Sequence, residues 1–405
     1  MSEQYANLEA PALHTAGYQW SEKPLRSSSR SKWIVIGSIV GLLVLIGAGV
    51  GIGVGVSQSH KSSSNRSASS SSSSSSSDSN SPVKQTDPND PSTFVKDSRL
   101  KQSFYGIAYT PAGSQLPNCG NSLGDVIQDI QLLSQLTTRI RLYGADCNQS
   151  ALVLEAIKQT KVNMQVWLGN YPEPSDQTVY QRQRDEITAA IQTYGTDHIA
   201  GVTVGNEFML NYLNANGGTT PNDAVGQQGA QILIANIQDT ISTIQGLNLA
   251  KHIPVGTADA GAYFNNDVLQ AVEYGMSNVH PWFANVSIDQ AAGWTYEFFQ
   301  ETNVQPAKQL ANSPQFYIAE TGWPSNSSDV SNESNGPSTA SIANLQEFLN
   351  TFVCASNTNG TGYFYFEFFD EVWKDQQFGG VEGWWGLFTS NRTLKAVEIP
   401  DCPSP

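Results

Sequence analysis

"FYIAETGWPS", residues 316–325, runs three strand-favouring residues into Ala319 and Glu320, then turns sharply at Gly-Trp-Pro. A carboxylate at the last position of an apolar strand is rarely buried unless it is paired or used. A second segment repeats the design: "VTVGNE", residues 202–207, ends on Glu207. Working outward, short apolar runs recur at 103–110, 138–144, 163–169, 199–207, 253–259, 277–283, 316–322 and 362–371. Helical patterns lie between them, near 123–136, 150–160, 177–194, 226–246, 267–275, 288–300 and 339–353. Strict strand-then-helix alternation implies parallel strands joined by helical crossovers. Eight such units in this length predict a closed α/β (β/α)8 TIM barrel, whose functional face gathers the C-terminal ends of the strands. An open doubly wound sheet would carry a glycine-rich phosphate loop after its first strand, and "YTPAGSQLPNCGN" at 109–121 lacks G-x-G-x-x-G.

In a barrel, strands four and seven open on the same mouth, so Glu207 and Glu320 face one cleft. Glycoside hydrolysis requires such a pair: one carboxyl protonated to donate to the leaving oxygen, the other ionised to attack the anomeric carbon. Each charge makes its neighbour harder to ionise, which helps keep the acid protonated. Each glutamate alone is equally well read as a solvated strand end or a helix cap; the two together at these strand ends favour chemistry. Arg141 shares a strand face with Tyr143 by two-residue alternation. If Tyr143 faces the site, Arg141 sits one layer below and needs a carboxylate there, from Glu320 or Glu367.

Composition agrees with a neutral, ring-faced ligand. The chain of 405 residues has a net charge of −15 and carries 9 Trp, 15 Tyr and 16 Phe. Its acidity argues against nucleic acid and anionic lipid as partners. The histidines are scattered and no Cys-x-x-Cys pair occurs, so neither a metal nor a cofactor is expected. Cys119, Cys147, Cys354 and Cys402 suit one or two disulfides in an exported domain, with all three full pairings open.

Ahead of the barrel, residues 33–56, "WIVIGSIVGLLVLIGAGVGIGVGV", contain no charge. As a helix they would extend about 36 Å, enough to cross a bilayer core of about 30 Å. Lys23, Arg26, Arg30 and Lys32 precede the run and only Lys61 and Arg66 follow closely. The positive-inside rule then puts residues 1–32 in the cytoplasm as a tail and residues 101–405 outside, on a single-pass type II signal anchor at the cell membrane. Residues 57–100, with "SASSSSSSSSSDSNSP" at 67–82, are expected to be a disordered serine-rich linker. Sequons at Asn65, Asn148, Asn285, Asn326, Asn332, Asn359 and Asn391 all lie beyond the apolar run.

The motif "FYIAETGWPS" resembles the signature of glycoside hydrolase family 17, the β-1,3-glucanases and their transglycosylating relatives. "VTVGNE" is similar to that family's acid/base segment, and "IRLYGAD", "NVHPWFA", "FFDEVWK" and "WWGLF" follow in the family's order. The resemblance covers roughly residues 103–395, and the layout of tail, anchor, tether and domain resembles fungal cell-wall members. It implies a retaining endo-hydrolase of β-1,3-glucan with Glu207 as acid/base and Glu320 as nucleophile. It also implies substrate contacts from Asn206, from Glu371 and Lys374, and from Tyr143. His280 stands where plant members usually carry tyrosine and is a further candidate for the sugar. Trp282, Trp323, Trp384 and Trp385 are candidate stacking faces, Trp323 foremost because it follows the nucleophile. No separate carbohydrate-binding module is apparent, and a monomeric catalytic domain is expected. Residue types leave three other readings open: a transglycosylase, a non-catalytic wall-glucan binder, and an endoglycosidase acting on another β-linked polymer.

Overall fold

The computed structural model describes residues 83–403. Eight parallel strands close a barrel: β1 (Gly106–Ala108), β2 (Arg139–Arg141), β3 (Gln165–Asn170), β4 (Ile199–Asn206), β5 (Val255–Ala260), β6 (Tyr274–Asn278), β7 (Gln315–Thr321) and β8 (Tyr363–Tyr365). Each strand pairs with its neighbours in chain order, and β8 closes on β1 through Gly106 opposite Phe364. Helices fill the connections: α1 (Leu123–Leu133), α2 (Gln149–Thr160), α3 (Gln177–Tyr194), α4 (Phe208–Asn216), α5 (Ala224–Gly246), α6 (Asn266–Gln270), α7 (Ile288–Phe299), α8 (Ile342–Thr358) and α9 (Val372–Phe378). Several start where a side chain accepts an orphan backbone N–H, as Ser122 does for Asp125, Asp223 for Gly226 and Ser341 for Asn344.

The alternation expected from sequence is present, with three corrections. Strand six lies at 274–278, not 277–283: "DVLQAVEYGM" reads as continuous helix, yet α6 stops at Gln270. Buried Tyr274 instead enters the barrel, where its hydroxyl meets Thr203 Oγ1 at 2.9 Å and its ring fills the space that Gly256 leaves. Two helices were not anticipated, α4 directly after Glu207 and α9 directly after Glu371, along with a small antiparallel pair, Ser334–Asn335 with Ser338–Thr339. Third, the linker expected through residue 100 ends earlier. Residues 83–100 pack on the barrel through buried Val83 and Leu100, and through Gln131 Nε2 to Pro91 O (2.7 Å) and Asp97 N to Gln135 Oε1 (2.7 Å). Apolar residues and turn-forming Asp-Pro steps replace the serine run there, so the segment has surface to bury.

Among the described residues no helix is long and apolar enough to cross a membrane. The expected tail, the anchor at 33–56, the linker up to residue 82 and Asn65 lie outside the described residues. The cysteines pair as Cys119–Cys147 and Cys354–Cys402. The second bridge ties the C-terminal segment to α8 beside the entry to β1, where Ser103 Oγ donates to Pro400 O (2.6 Å) and Asn357 Nδ2 donates to Ser103 O (2.6 Å).

Candidate active site

Glu207 and Glu320 stand at the C-terminal ends of β4 and β7, at one mouth. Glu207 has φ 54° and ψ 32°, the left-handed region that a non-glycine residue occupies at a cost of about 1–2 kcal/mol. Its N–H donates to Ala258 O (3.1 Å) and its carbonyl accepts from Asn211 N (2.9 Å), which fixes this turn between β4 and α4. Glu320 is followed by Thr321 and Gly322. A Cβ at Gly322 would collide with the Phe366 carbonyl, so only glycine lets β7 turn this close to β8.

A chain of hydrogen bonds joins the two carboxylates. Arg141, 1% exposed, donates Nη1 to Glu320 Oε1 (2.9 Å) and Nη2 to Asn206 Oδ1 (2.7 Å). Asn278 donates Nδ2 to Glu207 Oε1 (3.1 Å) and lies 3.4 Å from Asn206 Oδ1. His280 Nε2 meets the other oxygen of Glu320, Oε2, at 3.1 Å. The Arg141 guanidinium lies 4.3 Å from the centre of the Tyr143 ring.

This arrangement separates the two groups' proton affinities. Burial is the largest influence on both, and it favours the protonated form. For Glu207 the nearby charge of Glu320 acts in the same direction and outweighs the opposing Asn278 hydrogen bond, so its pKa is pushed up to about 7. For Glu320 the His280 hydrogen bond and the Arg141 charge overcome burial, and its pKa falls to about 2. Between these values one carboxyl holds a proton while its neighbour is an anion. That is the division of labour double displacement at a sugar carbon needs.

Most candidates from sequence gather here. Tyr143, Asn206 and His280 surround Glu320, although His280 serves as the carboxylate's partner. Arg141 finds its carboxylate in Glu320. Glu367 belongs to a second cluster, in which Lys374 Nζ meets Glu367 Oε2 (2.7 Å) and Glu371 Oε2 (2.8 Å). Phe366 separates the two clusters, its ring centre 5.3 Å from that of His280 and 4.5 Å from Lys374 Nζ. Trp282 is nearly buried and packs edge-on against Phe283 and Trp385. Trp323 is a correction: it is 0% exposed, donates Nε1 to Thr339 O (2.9 Å) and stacks toward Phe348, so it belongs to the core between barrel and α8. Trp385 is likewise core, whereas Trp384 keeps part of its surface exposed. Asn148, Asn285, Asn326, Asn332, Asn359 and Asn391 are all exposed.

The structure adds residues that sequence reading passed over. Asn278 was hidden by the misplaced strand six; at the true end of β6 it would have been read as a mouth residue. Tyr171 is 36% exposed, and burial together with the charges of Glu207 and Glu320 raises its pKa. Its backbone is held at both ends by the amide of Gln183. Glu382 adds a third carboxylate whose charge reaches Glu207, and its own pKa is raised by burial. Among the described residues no group of three or more His, Cys, Asp or Glu is placed to hold a metal ion.

Comparison with known proteins is consistent with this geometry. The family model for the BtgE/BtgC glycoside hydrolase domain matches residues 106–386. The btgC protein of Aspergillus niger is 36% identical over 332 residues, covering 78% of this chain and 46% of its own length. The glucan endo-1,3-beta-glucosidase btgC of Emericella nidulans is 34% identical over 320 residues, covering 75% of this chain and 47% of its own. The chain thus spans about half the length of the curated relatives it matches. Among solved structures, a Rhizomucor miehei beta-1,3-glucanosyltransferase, an active-site mutant in complex with laminaritriose, superposes with a TM-score of 0.59 at 24% identity, over 75% of this chain and 100% of that one. At that identity the likeness speaks for the barrel alone.

Proposed function

The chain belongs to the BtgE/BtgC glycoside hydrolase family, and on that premise we propose that it cleaves β-1,3-glucan internally, retaining the anomeric configuration. In this reading Glu207 gives its proton to the glycosidic oxygen while Glu320 attacks C1 and forms a glycosyl ester. Glu207, now ionised, takes a proton from an incoming water, which displaces Glu320 and regenerates both groups. Arg141 and His280 keep Glu320 ionised for attack. Asn206 commits its Oδ1 to Arg141, which turns its amide Nδ2 into a donor for the hydroxyl next to the reacting carbon. The carrying observation is that Glu207 and Glu320 stand at the ends of β4 and β7 at one barrel mouth, linked through Asn278, Asn206 and Arg141, with the Arg141 guanidinium and His280 both bonded to Glu320; the opposite displacement of their pKa values agrees with it.

The same first half-reaction supports a second outcome, transfer to a hydroxyl of another glucan chain. Tyr171, exposed beside Glu207, offers an apolar face on which an acceptor ring can compete with water. Reduced laminari-oligosaccharides test both outcomes: shorter products alone indicate hydrolysis, and products longer than the substrate indicate transfer. Laminarin that binds but is neither cut nor extended would leave a wall-glucan binder, and cleavage of cellulose or mannan in its place would reassign the polymer. Glu320→Gln is expected to abolish turnover and leave glucan binding intact. The reading also places the domain outside the cell on the 33–56 anchor, supported by the uncharged run and the basic residues before it. Protease accessibility of the domain on intact cells tests that placement.

A further inference from the structure

Asp259, on β5, is 2% exposed and takes no part in the steps above. Its Oδ2 accepts from Met209 N at 2.8 Å, and its Oδ1 accepts from Ala260 N at 2.9 Å and from Leu210 N at 3.4 Å. Met209 and Leu210 are the second and third residues of α4, whose first N–H groups have no partner within the helix. The residue at the capping position of α4 is Glu207, and its own carboxyl makes no capping bond. Glutamate at that position in the left-handed region is unusual on both counts. A short polar side chain would normally sit there and accept those N–H groups.

We propose that Asp259 is the positioning residue for Glu207: it caps α4 from a neighbouring strand, so the carboxyl at the capping position is released to face the cleft. The assignment rests on the glycosidase reading above, in which Glu207 is the acid/base. Burial, the largest influence, and the nearby Glu207 charge raise the Asp259 pKa well above the ordinary carboxylate value against the pull of its three N–H donors, so its part here is that of a hydrogen-bond acceptor for the start of α4. The other groups facing Glu207 are Tyr171 after β3, Tyr263 after β5, Asn278 on β6, His280 after β6, Glu320 on β7 and Glu382 in the C-terminal loop.

The test uses the full chain with Asp259→Asn, which keeps the shape and one acceptor oxygen, and Asp259→Ala. Each is assayed on reduced laminaripentaose, whose leaving group needs a proton, and on 2,4-dinitrophenyl β-laminaribioside, whose leaving group needs none. Both variants are expected to lose about 100-fold in kcat/KM on the pentaose and about threefold or less on the aryl glycoside. Equal losses on both substrates in the folded Asn variant would reduce Asp259 to general support, and no loss on either would remove it from the mechanism. A wild-type chain inert on both substrates would instead overturn the glycosidase reading itself.

Discussion

Asn278 lies opposite Glu320 in the register of β6 and β7, and its side-chain Nδ2 donates to Glu207 at 3.1 Å. One residue thus touches the proposed acid/base and neighbours the proposed nucleophile through the sheet. The bond favours the ionised form of Glu207 and holds the pKa below where burial and Glu320 alone would drive it. Asn278→Ala is expected to move the alkaline limb of kcat/KM to higher pH. It should also cost roughly tenfold in rate through lost aim. A profile measured on reduced laminaripentaose checks both.

One planar fork of Arg141 reaches Glu320, Asn206 and the Ala319 carbonyl together. Lysine carries the charge but not the fork. Arg141→Lys is expected to raise the Glu320 pKa from about 2, moving the acid limb upward. A loss of about 100-fold in kcat/KM should accompany it. The pH–rate profile between 3 and 6 is the measurement.

Glu207 also leaves a mark on stability. Its pKa in the folded chain is about 7, above the 4.5 of an ordinary glutamate. The folded state therefore binds this proton more tightly than the unfolded one. The group is tolerated at low pH and costs stability progressively as pH rises from about 4.5 through 7. Glu207→Gln is expected to raise Tm by a few degrees at pH 8 and by less at pH 5, while removing activity. Thermal melts at the two pH values test the sign.

Two tryptophans that look alike in sequence should behave oppositely. Trp323 is fully enclosed, so Trp323→Ala is expected to cost about 3–5 kcal/mol of folding stability. Trp384 keeps an exposed face, so Trp384→Ala is expected to raise KM for laminari-oligosaccharides about three- to tenfold with little change in Tm. Denaturant unfolding and steady-state kinetics on both variants separate the two roles.

The Cys354–Cys402 bridge closes a separation of 48 residues, for which chain entropy predicts about 4 kcal/mol of stabilisation. Replacing both cysteines by serine is expected to lower the urea midpoint accordingly while sparing kcat/KM, since the bridge lies at the face opposite the mouth.

The barrel was legible because its strands end in side chains that make sense only at a shared mouth, and because helical and strand periodicities alternate without interruption. Glu207 and Glu320 were legible for the same reason. Strand six was not: Val272, Glu273 and Tyr274 carry on a helical rhythm, and only the fit of Tyr274 inside the barrel shows where α6 stops. That slip hid Asn278. Trp323 was misjudged because adjacency to Glu320 in the chain says nothing of side; Thr321 and Gly322 turn it inward to Thr339 and Phe348. Asp259 ends the run at 253–259, but its role left no signal, because its partners are backbone groups of the helix that follows a different strand. Contacts that depend on tertiary neighbours leave no periodic trace in a sequence.

The knot of contacts among Ser103, Asn357, Pro400 and Cys402 has a consequence for the mouth. The chain enters the barrel at the floor, and its last described residues are fastened to that same floor. Both stretches are thus tied to each other on the side away from Glu207 and Glu320, so loosening either one would be felt first at the floor and not at the carboxylates.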